Sequence, residues 1–124
     1  MELKVGMYIR TKDKNGIQYI RKIVDLPKDT RYGSIIVDKY IHNVKRVSKK
    51  NVLKASYEKM DLIKPGDYVN GRLVTFVYRP DGNEVFRIEL EKNTLQGHII
   101  GKSEQIKSIV TKEQFESMKY VVEE

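Results

Sequence analysis

Arginine and tyrosine alternate through the first hairpin of this chain in a pattern that could bind a phosphate. Tyr8-Ile9-Arg10-Thr11-Lys12 and Tyr19-Ile20-Arg21-Lys22 flank an Asn15-Gly16 turn. Side chains on a strand point alternately to opposite faces. An even-length loop, the common length for an Asn-Gly hairpin, gathers Tyr8, Arg10, Lys12, Tyr19, Arg21 and Ile23 on one face and leaves Met7, Ile9, Thr11, Ile20 and Val24 on the other. With a two-residue loop Arg10 lies opposite Arg21, and like charges across a ladder call for an anion or a carboxylate between them. Two readings fit: a phosphate-binding face with Tyr8 or Tyr19 to stack on a base, or a solvated face whose arginines pair with Asp13, Asp25 or Asp38. The run Lys45-Arg46-Val47-Ser48-Lys49-Lys50 is the densest basic cluster. It is either the rim of such a site or simply solvated.

A second group of residues repeats the theme later in the chain. Even pairing of 72–79 with 84–91 puts Leu73, Thr75, Val77, Phe86, Ile88 and Leu90 on an apolar face. The opposite face carries Arg72, Val74, Phe76, Tyr78, Val85, Arg87, Glu89 and Glu91, with Phe76 opposite Arg87. A Phe–Tyr–Val patch framed by two arginines is expected to be covered by the first half of the chain, by another protomer, or by a flat ligand.

Other chemistries have little to stand on. The 124 residues contain no cysteine and only two histidines, His42 and His98, 56 positions apart, so thiol nucleophiles, Cys-type zinc sites and iron–sulfur clusters are excluded and a His-based metal site is not expected. The eight glycines are scattered in turns rather than spaced as a phosphate loop. Glu89 and Glu91 share a strand face as solvated side chains would. No cofactor and no catalytic residue is expected. No apolar run is long enough to span a bilayer and the N-terminus lacks a secretory h-region, so the expectation is a cytoplasmic protein without membrane partners.

These residues need a frame to hold them, and the frame reads as β. Leu3-Lys4-Val5-Gly6-Met7-Tyr8-Ile9 is echoed 60 positions on by Ile63-Lys64-Pro65-Gly66-Asp67-Tyr68-Val69, and each copy leads through a Gly turn into another strand. The fold expected is mainly β: two tandem small SH3-like β-barrel units, 1–58 and 59–124, with one short C-terminal helix near 112–118. Strands are expected near 5–12, 17–25, 33–41 and 43–48, then 72–79, 84–91, 97–101 and 105–110. Ser48 to Met60 reads as a polar connector. Thr111-Lys112-Glu113-Gln114 fits a capping box, with Phe115 and Met118 on the docking face and Tyr120-Val121-Val122 returning as a strand. Charge divides with the units. Residues 1–60 hold 15 Lys and Arg against 6 Asp and Glu, and residues 61–124 hold 9 against 11. An anionic partner is therefore expected at the first unit.

Asp61-Leu62-Ile63-Lys64-Pro65-Gly66-Asp67-Tyr68-Val69-Asn70-Gly71 and Ile106-Lys107-Ser108-Ile109-Val110-Thr111-Lys112-Glu113-Gln114-Phe115-Glu116-Ser117-Met118-Lys119-Tyr120 resemble segments of a group of small uncharacterised proteins encoded by phages and prophages of clostridia and related Gram-positive bacteria, as does Gly6-Met7-Tyr8. Residues 27–55 match nothing in that pattern. The resemblance implies a context rather than an activity: a non-enzymatic phage accessory protein that antagonises bacterial immunity. Within it, the expectation is a protein that sequesters a small phosphorylated ligand, of cyclic-nucleotide or ADP-ribose type, through Tyr8, Arg10, Lys12, Tyr19, Arg21, Lys45, Arg46, Arg72, Phe76, Tyr78 and Arg87. The alternative is an SH3-like inhibitor or adaptor, of anti-CRISPR type, that binds an acidic surface of a host defence protein or an RNA or DNA backbone. A homodimer closed over Val74, Phe76, Tyr78 and Val85 is expected in either case.

Overall fold

The computed structural model describes residues 2–27, 33–41, 44–78, 87–92 and 99–122. Residues 79–86, Val85 and Phe86 among them, His42, His98 and the side chains of Lys45 and Met118 lie outside what it describes. The chain divides into two units, Met1–Leu62 and Ile63–Glu124. Among the described residues no helix is long and apolar enough to cross a membrane.

Unit 1 is built from β1 (Tyr8–Lys12), β2 (Gln18–Asp25), β3 (Ser34–Ile41), β4 (Val44–Ser48) and β5 (Val52–Ser56), with 3-10 turns at Lys49–Asn51 and Lys59–Leu62. Its antiparallel sheet has the order β4-β3-β2-β1-β5. β-branched residues at alternate positions supply one buried face, and Ile9, Ile23, Ile35, Val37 and Val47 form its core, packed by Leu3, Met7, Leu26, Val52 and Ala55. The stretch expected to be a connector is thus partly a strand: the alternation Val52-Leu53-Lys54-Ala55 lets β5 pair along β1. The turn at Lys59–Leu62 packs on β1 and β5 and belongs to unit 1.

Unit 2 comprises β6 (Tyr68–Val69), β7 (Arg72–Tyr78), β8 (Arg87–Leu90), β9 (Ile99–Ile100), a 3-10 turn at Ser103–Gln105, β10 (Ile109–Val110) and the helix α1 (Lys112–Val122). Its order is β10-β6-β7-β8-β9. In both sheets the fifth strand therefore flanks the first, and a 3-10 turn precedes the fifth strand. Among the described residues no ladder joins the fourth strand to the fifth, so each sheet is open and not the closed barrel expected. The region 105–110 is strand only at its end, because Ser103–Gln105 takes the tighter turn. Thr111 is buried and forms the expected capping box: its hydroxyl accepts the Gln114 N–H at 3.2 Å and the Gln114 side chain accepts the Thr111 N–H at 3.2 Å. α1 runs on to Val122, so Tyr120-Val121-Val122 is helix and not a returning strand. Phe115 stacks on Tyr68, with ring centroids 4.2 Å apart.

The sequence echo corresponds to a repeated backbone. Gly6 and Gly66 sit at φ 96° and 99°, a region glycine alone enters freely. Each closes a turn in which Met7 N–H or Asp67 N–H donates to Lys4 or Lys64 O. Gly6 N–H donates to Ile23 O and Ile23 N–H to Met7 O; Gly66 N–H donates to Val74 O and Val74 N–H to Asp67 O. A register shift follows Ile23 in one sheet and Val74 in the other. Asp38 accepts the Lys22 N–H, and Glu91 accepts the Leu73 N–H. Ile9 lies opposite Arg21 in unit 1, and Val69 lies opposite Arg72 in unit 2. Arg21 and Arg72 therefore occupy the same position of one repeated frame. What differs is the first hairpin: eleven residues separate Ile9 from Arg21, and only Asn70-Gly71 separates Val69 from Arg72.

Candidate anion-binding site

The longer hairpin of unit 1 decides where its charges point. Asp13 N–H donates to Ile17 O at 3.0 Å and Gly16 N–H to Asp13 O at 3.1 Å, leaving the three-residue loop Lys14-Asn15-Gly16 with Gly16 at φ 82°. The Asp13 Oδ1 accepts the N–H groups of both Asn15 and Ile17, at 2.8 and 3.0 Å. A turn ending in a left-handed glycine is the favoured three-residue hairpin, and the Asp side chain selects it over the two-residue form. The loop is odd, so the expected face is corrected. Ile9 pairs with Arg21, Thr11 with Tyr19, and Arg10 with Ile20. Tyr19 and Arg21 turn to the core side with Ile9, Thr11 and Ile23, while Tyr8 and Arg10 share the other side.

Past the apolar core, toward the hairpin end, this inner face encloses a cavity of about 560 Å³. Thr11, Tyr19 and Arg21 line it from β1 and β2; Arg46, Val47 and Ser48 from β4; Asn51 from the adjoining 3-10 turn; and Lys12, Asp13, Lys14, Asn15 and Ile17 from the hairpin. Lys12, Lys14 and Arg46 are exposed. Arg21 is only 6% exposed, and its Nε and Nη1 are buried without a hydrogen-bond acceptor. Its guanidinium carbon lies 4.9 Å from the centroid of the Tyr19 ring. Burial pulls the Arg21 pKa below its ordinary value, against the opposing fields of Tyr19, Asp38 and Asp13. Burial likewise pushes the Tyr19 phenol up, with the charge and hydrogen bond of Asp13 adding to it and Arg21 working against it. The Arg21 Nε and Nη1 are shut off from the recess itself, so the recess presents a rim of lysine and arginine and, at its floor, only the small accessible part of the Arg21 side chain.

Unit 2 supplies an internal comparison. Arg72, at the position equivalent to Arg21, donates its Nη2 to the Glu91 carbonyl at 2.5 Å. The same frame thus offers one nitrogen of Arg72 a backbone acceptor, although its Nε is also buried without a bond, and offers none to Nε or Nη1 of Arg21.

The remaining residues of the expected site are placed elsewhere. Arg10 is 2% exposed; its Nη1 donates to Leu62 O at 3.0 Å and its Nε to Gln18 Oε1, so it fastens the Lys59–Leu62 turn onto β1. Tyr8 lies on that outer side, with Lys22 and Lys59 ammonium groups 5.8 and 6.0 Å from its ring centroid. In unit 2, Tyr78 and not Phe76 lies opposite Arg87, whose guanidinium carbon is 5.5 Å from the Tyr78 ring. Phe76 lies opposite Glu89. The register shift after Val74 turns that residue into the core, so the exposed patch expected there is reduced to Phe76, Tyr78 and the neighbouring Ile99. Thr11, Asp13, Lys14, Asn15, Ile17, Ser48 and Asn51 were not expected in a site. The Asp13-Lys14-Asn15-Gly16 string carried the signal for the first of the hairpin residues, because Asp at the start of a turn that ends in Gly favours the odd loop.

No protein-family model matches the chain, and neither a curated protein nor a solved structure is similar to it. Among the described residues no cluster of His, Asp or Glu could hold a metal ion.

Proposed function

We propose that this chain is a non-enzymatic binding protein whose first unit retains a small phosphorylated ligand of nucleotide class. One observation carries the reading: Arg21 is buried with two nitrogens lacking an acceptor, where its counterpart Arg72 has a carbonyl. A buried guanidinium without an acceptor is costly; Nε and Nη1 are shut off from the cavity, so an anion entering it removes that cost by drawing the guanidinium toward itself. The cavity volume leaves room beside a phosphate for an organic moiety, which Ile17 and Val47 would contact. Tyr19 already packs against Arg21, so its role is to hold the guanidinium rather than to stack on a base. We read the two sheets as SH3-like from their shared order and the 3-10 turn before each fifth strand. Retention without turnover fits a phage-type accessory protein that sequesters a nucleotide-derived immune signal in the cytoplasm of its host.

Isothermal titration calorimetry against nucleoside monophosphates, cyclic nucleotides and ADP-ribose tests this. At least one is expected to bind well below 100 μM, to be lost with Arg21→Met, and to be recovered intact after the protein is denatured. Failure of all to bind below about 100 μM refutes the reading, because such affinity depletes no signal. An adaptor that grips an RNA or DNA backbone behaves differently: its affinity falls steeply with salt, whereas binding in an enclosed site falls less.

A further inference from the structure

We infer that the ligand of the unit 1 cavity carries two separate anionic groups, one seated on Arg21 at the floor and the other held by Lys14 and Arg46 at the mouth. The inference rests on the reading of this cavity as an anion site. Among the described residues four cations line it, Lys12, Lys14, Arg21 and Arg46, against the single carboxylate of Asp13. That carboxylate is engaged with the hairpin, accepting the Asn15 and Ile17 N–H groups. It stabilises the loop that carries Lys14, and its charge together with that of Asp38 offsets only part of the four positive charges.

The cations lie at two depths. Arg21 is buried, while Lys14 and Arg46 are exposed. Arg21 lines the recess with the small part of its side chain that is exposed, so a group seated on it has left bulk water and sits below the rim. Lys14 stands on the β1–β2 loop and Arg46 on β4, which is two strands away from β2 in the sheet. One phosphate does not fill a recess of about 560 Å³ between these points. A monoanion would leave the rim cations repelling one another across the mouth, whereas a second charged group satisfies them. The class indicated is a nucleoside diphosphate, a bisphosphate or a dinucleotide with two phosphates.

Calorimetry at fixed ionic strength with inorganic phosphate, adenosine 5′-monophosphate, adenosine 5′-diphosphate and adenosine 3′,5′-bisphosphate separates the possibilities. The better of the two doubly phosphorylated probes is expected to bind about 10-fold to 100-fold tighter than the monophosphate, the range one charge-assisted contact supplies. The doubly substituted Lys14→Gln/Arg46→Gln protein, checked for folding by circular dichroism, is expected to lose that preference, with the doubly phosphorylated probe weakened more than the monophosphate. Arg21→Gln is expected to weaken all probes that bind. Equal binding of singly and doubly phosphorylated probes overturns the inference while sparing the anion site, as does a Lys14→Gln/Arg46→Gln protein that retains the preference. No binding of any of the four overturns the anion site and the inference with it.

Discussion

Replacing Arg21 with Met should make the ligand-free protein more stable. Arg21 is 6% exposed, and two of its nitrogens meet no acceptor. Each buried, unsatisfied donor costs about 1–3 kcal/mol. The Tyr19 contact at 4.9 Å returns up to about 2 kcal/mol of cation–π attraction. Met fills similar length with apolar atoms and needs no partner, so a net gain of about 1–2 kcal/mol is expected. Arg72→Met, at the equivalent position of the other unit, should do the opposite and cost about 1–2 kcal/mol, because it removes the bond to the Glu91 carbonyl. Urea denaturation followed by far-ultraviolet circular dichroism measures both. The chain has no tryptophan, so the signal is that of the backbone. If Arg21→Met lowers stability by 1 kcal/mol or more, the guanidinium is already satisfied by the fold and the case for a ligand there collapses. The sign of the difference between the two variants carries the test.

Three further outcomes are expected. Arg10→Met should destabilise by about 2–4 kcal/mol in the same denaturation assay, since the bonds to Leu62 O and Gln18 Oε1 are lost from a buried position; a neutral effect would mean that the 3-10 turn needs no fastening. Thr111→Ala should cost about 1 kcal/mol and shorten the protection of α1 amides in hydrogen exchange, the cost of an N-cap whose hydroxyl takes the Gln114 N–H. Alkaline stability should respond to Tyr19. Its pKa is raised in the fold, so above about pH 10 the unfolded chain releases this proton first and stability falls until Tyr19 itself ionises. Tyr19→Phe should make that decline shallower, and an unchanged slope would show that the phenol is not held protonated.

Much of the frame was legible in the sequence because it is fixed by local rules. The Lys-x-Gly-x-Tyr echo predicted two β units, and it works because each Gly must enter the left-handed region to close the same turn. The capping box at Thr111 was equally local. The site was legible only in part, since it depends on a parity. Arg21, Tyr19, Lys12 and Arg46, which line one recess, were singled out by type but were grouped with Tyr8 and Arg10 through an assumed even loop. The Asp13 carboxylate, by taking two backbone N–H groups, selects the odd one. Arg10 misled for a different reason: a strand arginine bound by a carbonyl 52 positions away leaves no trace in local sequence. β5 was hidden by Lys54 within it and by Lys49-Lys50 just before it, which make the stretch read as polar although β1 recruits its apolar residues.

The three-residue loop at Lys14-Asn15-Gly16 has an evolutionary consequence. Strand faces alternate with a period of two, so a single inserted or deleted residue in this loop would reverse β2 relative to β1. Ile20 and Lys22 would then face the cavity in place of Tyr19 and Arg21. The same reversal would carry Ile23 out of the core and expose its apolar side chain to water. The length of this loop is therefore tied to the fold of unit 1 as well as to the recess, and related chains should vary in the loop's residues before they vary in its length.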